Sequence, residues 1–334
     1  MTDAEPSRET TVGELSEGQI LRGILDRLPP SSAPVGPGDD AAVLSVPDGR
    51  VVATTDTLVH GPDFRLAWSS PFDLGFKAAA VNLADVAAMG ARPIALLVAL
   101  AMPDATPVSF VRGFADGLAA ACAELAPGCA VEGGDLTVSD TLTIAVTALG
   151  SLDGRAPVRR SGARVGDGVY VIGELGEAAR GLDVLFERFT DADGAPVALT
   201  AEARDALDAA DAKALSRQLT PRPPLAEALR AAASGATAMM DVSDGLALDA
   251  TRLADASGVT IALDSETLGD DPARALGGGE DHGFLVAFAP DAEPLGRRIG
   301  TVVARGAEAL TVDGRAWTGR VGWDPYRDWD AGRG

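Results

Sequence analysis

The sequence predicts an α/β (α+β) protein of two domains, and three observations lead to this prediction. The chain has 334 residues, more than one hydrophobic core usually organises, so we expect two domains of roughly 150 residues each. Apolar residues make up 46% of the chain, which is enough to fill two cores. β-branched runs alternate with helical patterns along most of its length, an order that favours helices covering a sheet.

The N-terminal elements can be placed from capping and turn residues. A polar tail over residues 1–15 precedes a helix at 17–28, and runs at 43–46 and 51–55 around a Pro-Asp-Gly turn predict a hairpin. Ser70 caps a helix that should run to Met89 and end at Gly90. The remaining predicted elements of this half are a strand at 94–102, a helix at 107–125, and strands at 129–132 and 141–150.

A polar stretch rich in Gly and Arg, residues 151–168, is expected to link the two domains. We therefore expect an N-terminal domain at 1–152 and a C-terminal domain at 153–334. In the second domain the patterns predict a strand at 169–172, helices at 177–188, 201–215 and 225–234, a strand at 236–242, a helix at 246–256, and strands at 259–263, 284–288 and 299–303.

Composition excludes several functions. The chain has 49 acidic and 28 basic residues and a net charge of −21, which argues against a nucleic-acid backbone or an anionic membrane as a partner. Lys77 and Lys213 are its only lysines, so a Gly-x-x-x-x-Gly-Lys phosphate loop is absent and any phosphate should be held by metal, arginine or backbone. No apolar run reaches the ~18 residues of a membrane span. Without a secretory signal, and with Cys122 and Cys129 expected as buried reduced thiols, a cytoplasmic protein is predicted.

The most informative feature is the repeated occurrence of acids beside Gly, Ser or Thr in otherwise apolar surroundings. Burying an ionised carboxylate is costly unless a cation or several donors compensate it. Mg²⁺ takes oxygen ligands, usually a few carboxylates together with waters and phosphates. Six such clusters in one chain predict a shared cation site. They are Gly38-Asp39-Asp40, Thr54-Thr55-Asp56-Thr57, Asn82-Leu83-Ala84-Asp85, Glu132-Gly133-Gly134-Asp135, Asp241-Val242-Ser243-Asp244-Gly245 and Gly278-Gly279-Glu280-Asp281.

Several of these acids also have an ordinary structural interpretation. Asp39 could cap the strand that follows it, and Asp85 could be a helix-surface carboxylate paired with Lys77. Asp241 and Asp244 could be the N-cap and first-turn acids of the helix at 246–256.

Other candidates are open in the same way. Arg160 could be a linker arginine bound to an acid at the domain interface, and His282 could be a structural residue rather than a base. Asp63 and Trp323 could contact a substrate or have no role.

Taken together, the motifs resemble the thiamine-monophosphate kinase family, within the larger group of ATP-dependent enzymes that includes aminoimidazole-ribonucleotide synthetase. They occur in the family's order over about residues 36–290. The two most specific blocks are Asn82-Leu83-Ala84-Asp85-Val86-Ala87-Ala88-Met89-Gly90 and Arg160-Ser161-Gly162-Ala163-Arg164.

The resemblance implies an aminoimidazole-ribonucleotide-synthetase-like fold, with a C-terminal sheet covered by helices and a homodimer in which the N-terminal sheets pair. The N-terminal domain would bind ATP and Mg²⁺, and the C-terminal domain would carry a substrate-side turn and a tail. The implied reaction is direct in-line transfer of the γ-phosphoryl group of ATP to thiamine monophosphate, assisted by several Mg²⁺ ions. Because the acceptor's own phosphate oxygen attacks, no catalytic side chain is assigned.

The resemblance also assigns site residues by motif position. Mg²⁺ would be held by Asp39, Thr54, Thr55, Asp56, Asp85, Asp135, Asp241 and Asp244. ATP would be contacted by Gly134, Asp135, Arg160 and Ser243. The substrate side would be formed by Asp63, Glu280 and Trp323, with Glu280 on the thiamine moiety.

Two departures from the family pattern fall on the acceptor side. Asp63 stands where members usually have histidine, and Pro325-Tyr326 stands where they have His-Phe. Two rival functions therefore stay open: an ATP-dependent enzyme of the same fold with another acceptor, and a non-catalytic nucleotide-binding paralogue. A third, bland interpretation is a salt-adapted acidic surface.

Overall fold

The computed structural model describes residues 9–37, 41–324 and 328. In the N-terminal half the elements are α1 (Glu17–Leu25), β1 (Val51–Val59), α2 (Pro71–Ala88), β2 (Arg92–Met102), α3 (Val108–Leu125), β3 (Ala130–Val138) and β4 (Thr143–Ser151). In the C-terminal half they are β5 (Gly168–Ile172), α4 (Glu177–Arg188), α5 (Ala201–Asp205), α6 (Ala209–Leu219), α7 (Leu225–Ala233), β6 (Ala238–Val242), α8 (Leu246–Ser257), β7 (Val259–Leu263), α9 (Pro272–Gly277), β8 (Gly283–Phe288), β9 (Arg297–Ala304), β10 (Leu310–Val312) and β11 (Arg315–Ala316).

The strands form two sheets, and the predicted α/β class is confirmed. The N-terminal sheet has four strands in the order β1-β4-β2-β3, with β2 and β3 parallel and the other pairs antiparallel. The C-terminal sheet has seven strands in the order β11-β10-β7-β9-β5-β8-β6. Helix α8 covers β6, β7 and β10 of this sheet with a stripe of buried Leu and Ala residues, and α7 directs a similar stripe at α2.

Helix α2 lies between the two sheets and is buried along nearly its whole length. It starts with a capping box, in which the Ser70 hydroxyl accepts the Asp73 N–H at 3.1 Å and the Asp73 carboxylate accepts the Ser70 N–H at 3.0 Å. One side packs on β1, β2 and β4, and the other contacts β6 and α7. Small alanines at six of its positions, 78–80, 84, 87 and 88, allow both contacts. The largest core cluster accordingly includes residues of both halves.

Two predictions of local structure were wrong. The predicted hairpin does not form, since Val43 makes only an isolated bridge to Val35. Strand β1 instead pairs with β4 over its full length, from Val51↔Ser151 to Val59↔Thr143, because this long pairing satisfies far more backbone groups than a short turn could.

The helix predicted at 201–215 is split into α5 and α6, because Asp208 caps a new helix by accepting two N–H groups at 2.9 Å. Helix α9 and the short strands β10 and β11 were not predicted.

The contact between α2 and α3 yields a stability prediction. A Cβ at Gly75 would lie 2.0 Å from the Phe114 carbonyl oxygen, so Gly75→Ala should destabilise the fold by ~1–3 kcal/mol through overpacking. Thermal unfolding measures the effect. Gly18→Ala is the matched control. A Cβ at this helical position would meet only the end of the Arg22 side chain, at 4.0 Å, so the substitution should leave the stability of the protein unchanged or raise it slightly. A Gly75→Ala protein as stable as the control would contradict the close helix packing.

Candidate active site

A cavity of about 640 Å³ lies between the two halves of the chain. Strand β1 and helix α2 form its N-terminal wall, and α4, α6 and the turns after β6 and α9 form the opposite wall. The polar residues that line it include Asp56, Asp63, Lys77, Asp85, Gln218, Asp241, Ser243, Asp244, Glu280 and His282. Because the family resemblance leads us to expect the acceptor beside Glu280, we call it the acceptor cavity.

A second cavity of about 480 Å³ is lined by Thr54 of β1, Asp85 of α2 and Asp241 of β6. It has an apolar wall of Met89, Met239 and Met240 and carries the exposed Arg160 at its edge. Because the family resemblance leads us to expect ATP beside Arg160, we call it the nucleotide cavity. The two cavities share Asp85 and Asp241 in their walls, so a group bound in either one would reach the same pair of carboxylates.

Four predicted cation ligands, Thr54, Asp56, Asp85 and Asp241, come together between the sheets. Thr54 and Asp56 lie on the β1 face that packs on α2, and the Thr54 hydroxyl donates to Asp85 Oδ2 at 2.9 Å. The Asp56 N–H donates to the Asn82 side chain at 3.1 Å, which holds β1 against α2.

The electrostatics of this group are unfavourable without a cation. Burial, and then the charges of Asp241 and Asp56, raise the pKa of Asp85 to about 7. Burial also raises the pKa of Asp56, and Asp241 adds to the effect while His282 opposes it. These carboxylates therefore repel one another in a partly dry site, a situation that a bound cation would relieve.

The turn after β6 presents Asp244 and is held by a residue that the sequence did not single out. Asp249 is fully buried and accepts the N–H groups of Ser243 and Asp244, each at 3.1 Å. Arg252 donates to Asp249 at 2.8 Å and to Asp244 at 2.5 Å. The N-cap of α8 is Gly245, without a capping side chain, so the alternative in which Asp241 and Asp244 cap this helix was wrong.

The predicted substrate-side residue Glu280 lies at the other end of the acceptor cavity. Lys77 Nζ lies 2.7 Å from Glu280 Oε1, and the Gln218 amide donates to Oε2. Burial acts to raise the pKa of Glu280, but the Lys77 charge and these hydrogen bonds outweigh it and hold the pKa below its usual range. The alternative in which Lys77 pairs with Asp85 was therefore wrong.

The other acceptor-side candidates line the same cavity. Asp63 accepts the Val59 N–H at 2.7 Å, which closes the turn after β1, and burial raises its pKa. Trp323 donates its backbone N–H to the Asp244 carbonyl at 2.9 Å. Neighbouring Asp281 has a structural task, since it accepts the Gly176 and Ala178 N–H groups at 2.5 and 2.8 Å where α4 begins. Pro325 lies outside the described residues.

Not every predicted ligand joins the group between the sheets. Thr55 alternates with Thr54 and so faces the opposite side of the N-terminal sheet. Asp135 lies in one cross-strand row with Ala99, Ala145 and Thr57, on that same open face and about 14 Å from β1 across three strand spacings. Its neighbour Gly134 lies in the same strand, β3, where it pairs with Val98 of β2. Asp39 lies outside the described residues.

The donor set fits Mg²⁺ in chemistry. It consists of carboxylate and hydroxyl oxygens, the ligands that Mg²⁺ prefers, and the neighbouring aspartates add to burial in raising the pKa of Asp85 and of Asp56. Within the part of the chain that the structure describes, no three acidic, His or Cys side chains already converge at metal-ligand distance. Mg²⁺ usually takes only a few ligands from protein and the rest from water and phosphate.

Two functional candidates, Asp249 and Gln218, were not considered in the sequence analysis. His282, which was weighed there as a base or a structural residue, has its Nδ1 3.4 Å from Asp241 Oδ2. A signal for Asp249 was available, because it is an acid on the α8 face that otherwise carries buried Leu246, Ala250 and Leu253. Gln218 has no such signal, since its partner is 62 residues away.

Three comparisons with known proteins agree with one another. Residues 38–152 match the model of the AIR synthase related protein, N-terminal domain. A thiamine-monophosphate kinase of Mycobacterium tuberculosis is 40% identical over 336 residues, covering 96% of this chain and 94% of that protein. The crystal structure of thiamine-monophosphate kinase from Stenotrophomonas maltophilia has a TM-score of 0.71 at 32% identity, covering 93% of this chain and 99% of that one. A structure of AaThiL complexed with AMPPCP and TMP has a TM-score of 0.71 at 30% identity, covering 95% and 99%.

The buried acids predict how stability depends on pH. The folded pKa values of Asp85, about 7, and of Asp249, about 6, exceed the ~3.9 of an unfolded aspartate. The contribution of these two groups to stability is therefore fully present below the unfolded pKa and is lost as the pH rises through their folded pKa values. We expect the metal-free protein to melt roughly 3–6 °C lower at pH 8 than at pH 5.5, as measured by thermal unfolding in chelator.

The matched variant is Asp85→Asn, which removes one titrating group without changing its shape. It should melt higher than the natural protein at pH 8 and show a weaker pH dependence. A natural protein that becomes more stable between pH 5.5 and 8 would contradict the repulsion within the group.

Proposed function

The chain belongs to the thiamine-monophosphate kinase family, and on that premise we propose that it transfers the γ-phosphoryl group of ATP to thiamine monophosphate, giving thiamine diphosphate and ADP. The observation that supports this most directly is the shared wall of the two cavities. An ATP molecule in one cavity and an acceptor in the other would meet at Asp85 and Asp241. The AaThiL structure, which is complexed with AMPPCP and TMP, supports the same pair of ligands.

The proposed transfer is a direct in-line displacement. An ionised phosphate oxygen of the acceptor forms a bond to the γ-phosphorus while the bond from that phosphorus to the bridging oxygen breaks, and the electron pair leaves with ADP. Since the acceptor oxygen is already ionised, this chemistry requires no protein base. The contribution of the chain is to bind the two substrates in line and to exclude water from the space between them.

We propose that Mg²⁺ ions are held by Thr54, Asp56, Asp85, Asp241 and Asp244. Mg²⁺ neutralises charge on phosphate oxygens when it is bound. Arg252 now occupies one oxygen of Asp244, and Asp249 fixes the backbone of that turn. The number of ions stays a prediction, as do the assignments of Asp39, Thr55 and Asp135 as ligands.

The nucleotide is proposed to bind in the nucleotide cavity, with Arg160 toward its phosphates and Ser243 on the side of the transferred group. The Met-rich wall supplies an apolar surface for a base. Arginine is the phosphate-binding side chain available at this cavity, which agrees with the lack of a lysine loop in the sequence.

On the acceptor side, Glu280, Asp63 and Trp323 are proposed to contact thiamine monophosphate. Thiamine carries a fixed positive charge, and the carboxylates of Asp63 and Glu280 line the cavity that would receive it. An enzyme with another acceptor on the same fold is the main rival, because Asp63 and Pro325 depart from the family pattern.

The site is tested by thiamine diphosphate formation from Mg²⁺-ATP and thiamine monophosphate, followed by chromatography. Asp56→Asn should lower kcat at least about a hundredfold with an unchanged or higher melting temperature, because the change removes one of the mutually repelling buried carboxylates. Asp270→Asn is the matched control, because Asp270 is exposed and lines neither cavity. Nucleotide binding without any product would favour the non-catalytic paralogue, and product formed from a different acceptor would favour the rival enzyme.

We also propose a homodimer formed by the open faces of the N-terminal sheets. Thr55, Leu97, Ala99 and Asp135 share this face, and Ala99 is exposed at its centre in the single chain. Pairing would bury these apolar groups and bring Asp135 of one subunit to the interface.

Free, buried Cys122 and Cys129 support the reducing cytoplasm as the proposed location. In the part of the chain that the structure describes, no helix combines the length and apolar character needed to span a bilayer.

Light scattering tests the dimer, which should have twice the 33.9 kDa of the chain. Leu97→Glu should produce a monomer, because two buried like charges would face each other across the interface. Val165→Glu changes an exposed valine elsewhere and should leave the dimer intact. A natural protein that is monomeric at micromolar concentration would contradict the proposal.

A further inference from the structure

The residues around Glu280 form an arrangement that costs folding free energy. Lys77 and Gln218 are each only 5% exposed, and both direct their side chains at the Glu280 carboxylate. Burying a lysine is costly even when it is paired. Glu280 itself has φ +67°, a left-handed conformation that non-glycine residues rarely adopt.

The orientation of the Gln218 amide is determined by its partner. An ionised carboxylate can only accept hydrogen bonds, so the nitrogen of the amide must face Glu280. The amide oxygen is then left buried, and it has no hydrogen-bond partner among the described residues. A buried acceptor without a partner reduces stability, so stability alone does not explain a glutamine here.

The backbone of Glu280 is fixed as firmly as its side chain. Its N–H donates to the Ser243 carbonyl at 2.7 Å, which ties it to the turn that presents Asp244. The carboxylate therefore has a set position relative to the group of acids at which the two cavities meet. Each of its oxygens uses one acceptor direction for Lys77 or Gln218, and the second direction of each stays available to a molecule in the cavity that Glu280 lines.

We propose that Lys77 and Gln218 are positioning residues that set acceptor specificity, by holding Glu280 as a charged, fixed hydrogen-bond acceptor for the amino group of the aminopyrimidine ring. This inference rests on the proposed function. A fixed carboxylate accepts a hydrogen bond from an amino group but repels a carbonyl oxygen at the same place. A site of this kind discriminates strongly, because the wrong ligand leaves a charged group unpaired.

Lys77 keeps the Glu280 carboxylate charged, and Gln218 fixes its orientation. The carboxylates of Asp63 and Glu280 face the same end of the cavity, and Lys77 offsets their repulsion. Without Lys77, Glu280 would gain a proton more easily and could donate to a carbonyl. Without Gln218, Glu280 would keep its charge but one oxygen would be free to rotate.

The test compares thiamine monophosphate with its 4-oxo analogue, in which a carbonyl replaces the amino group, in steady-state assays of diphosphate formation. The natural protein should prefer the amino acceptor by at least about a hundredfold in kcat/KM. Gln218→Leu should raise the acceptor KM about tenfold and narrow the preference by a similar factor. The KM for ATP should not change, and the melting temperature should be unchanged or higher because the unpaired amide oxygen is gone.

Matched variants separate positioning from general damage. Lys77→Met should narrow the preference as Gln218→Leu does, and Lys77→Arg should restore part of it. Lys213→Met removes the only other lysine, an exposed residue on α6, and should leave all these values unchanged. Gln218→Met keeps the length of the side chain without its donor and serves if the leucine variant does not fold.

A folded Gln218→Leu protein with an unchanged acceptor KM and an unchanged preference would overturn the inference. Equal increases in both substrate KM values would do so as well, since they indicate a general disturbance of the cavity. If the natural protein forms no thiamine diphosphate, the proposed function fails first and this inference fails with it. A natural protein that forms product while Gln218→Leu keeps its selectivity refutes only the positioning role.

Discussion

The burial of α2 between the two sheets is the constraint on which the rest of the site depends. Lys77, Val81 and Asp85 are spaced by four residues and so lie on one face of this helix, where all three line the acceptor cavity. Because α2 contacts β1 on one side and β6 on the other, it sets the spacing between Asp56 and Asp241. The small alanines of α2 and the glycines at its contact with α3 allow the close packing that holds this spacing.

The group of acids shows a conflict between stability and activity. Asp56, Asp85 and Asp241 would be easier to fold as neutral residues, since burial and mutual repulsion already shift Asp85 toward its protonated form. Hydrogen bonds offset part of this cost: the Thr54 hydroxyl donates to Asp85, and the Arg252 guanidinium donates to Asp244 at the edge of the group. Such costly arrangements are expected at sites selected for function.

Much of the fold and part of the site could be predicted from the sequence. Helix α2 was predicted correctly to within a residue, because capping residues and a terminal glycine are local signals. The predicted hairpin was wrong, because the partner of β1 lies about 90 residues further along the chain and no local pattern identifies it. The same limit applies to the site: short motifs named Asp85 and Asp241, but the separation of Asp135 from them depends on strand order, and the Gln218 contact depends on tertiary packing.

The shared wall of the two cavities also bears on the order of events during turnover. Apart from Asp85 and Asp241, different residues line the two cavities, so each substrate would occupy a space of its own. Under the proposed reaction, this arrangement allows a random sequence of binding, in which either substrate enters first. It also allows the two products to depart by separate routes, so that a slow exit of one need not trap the other.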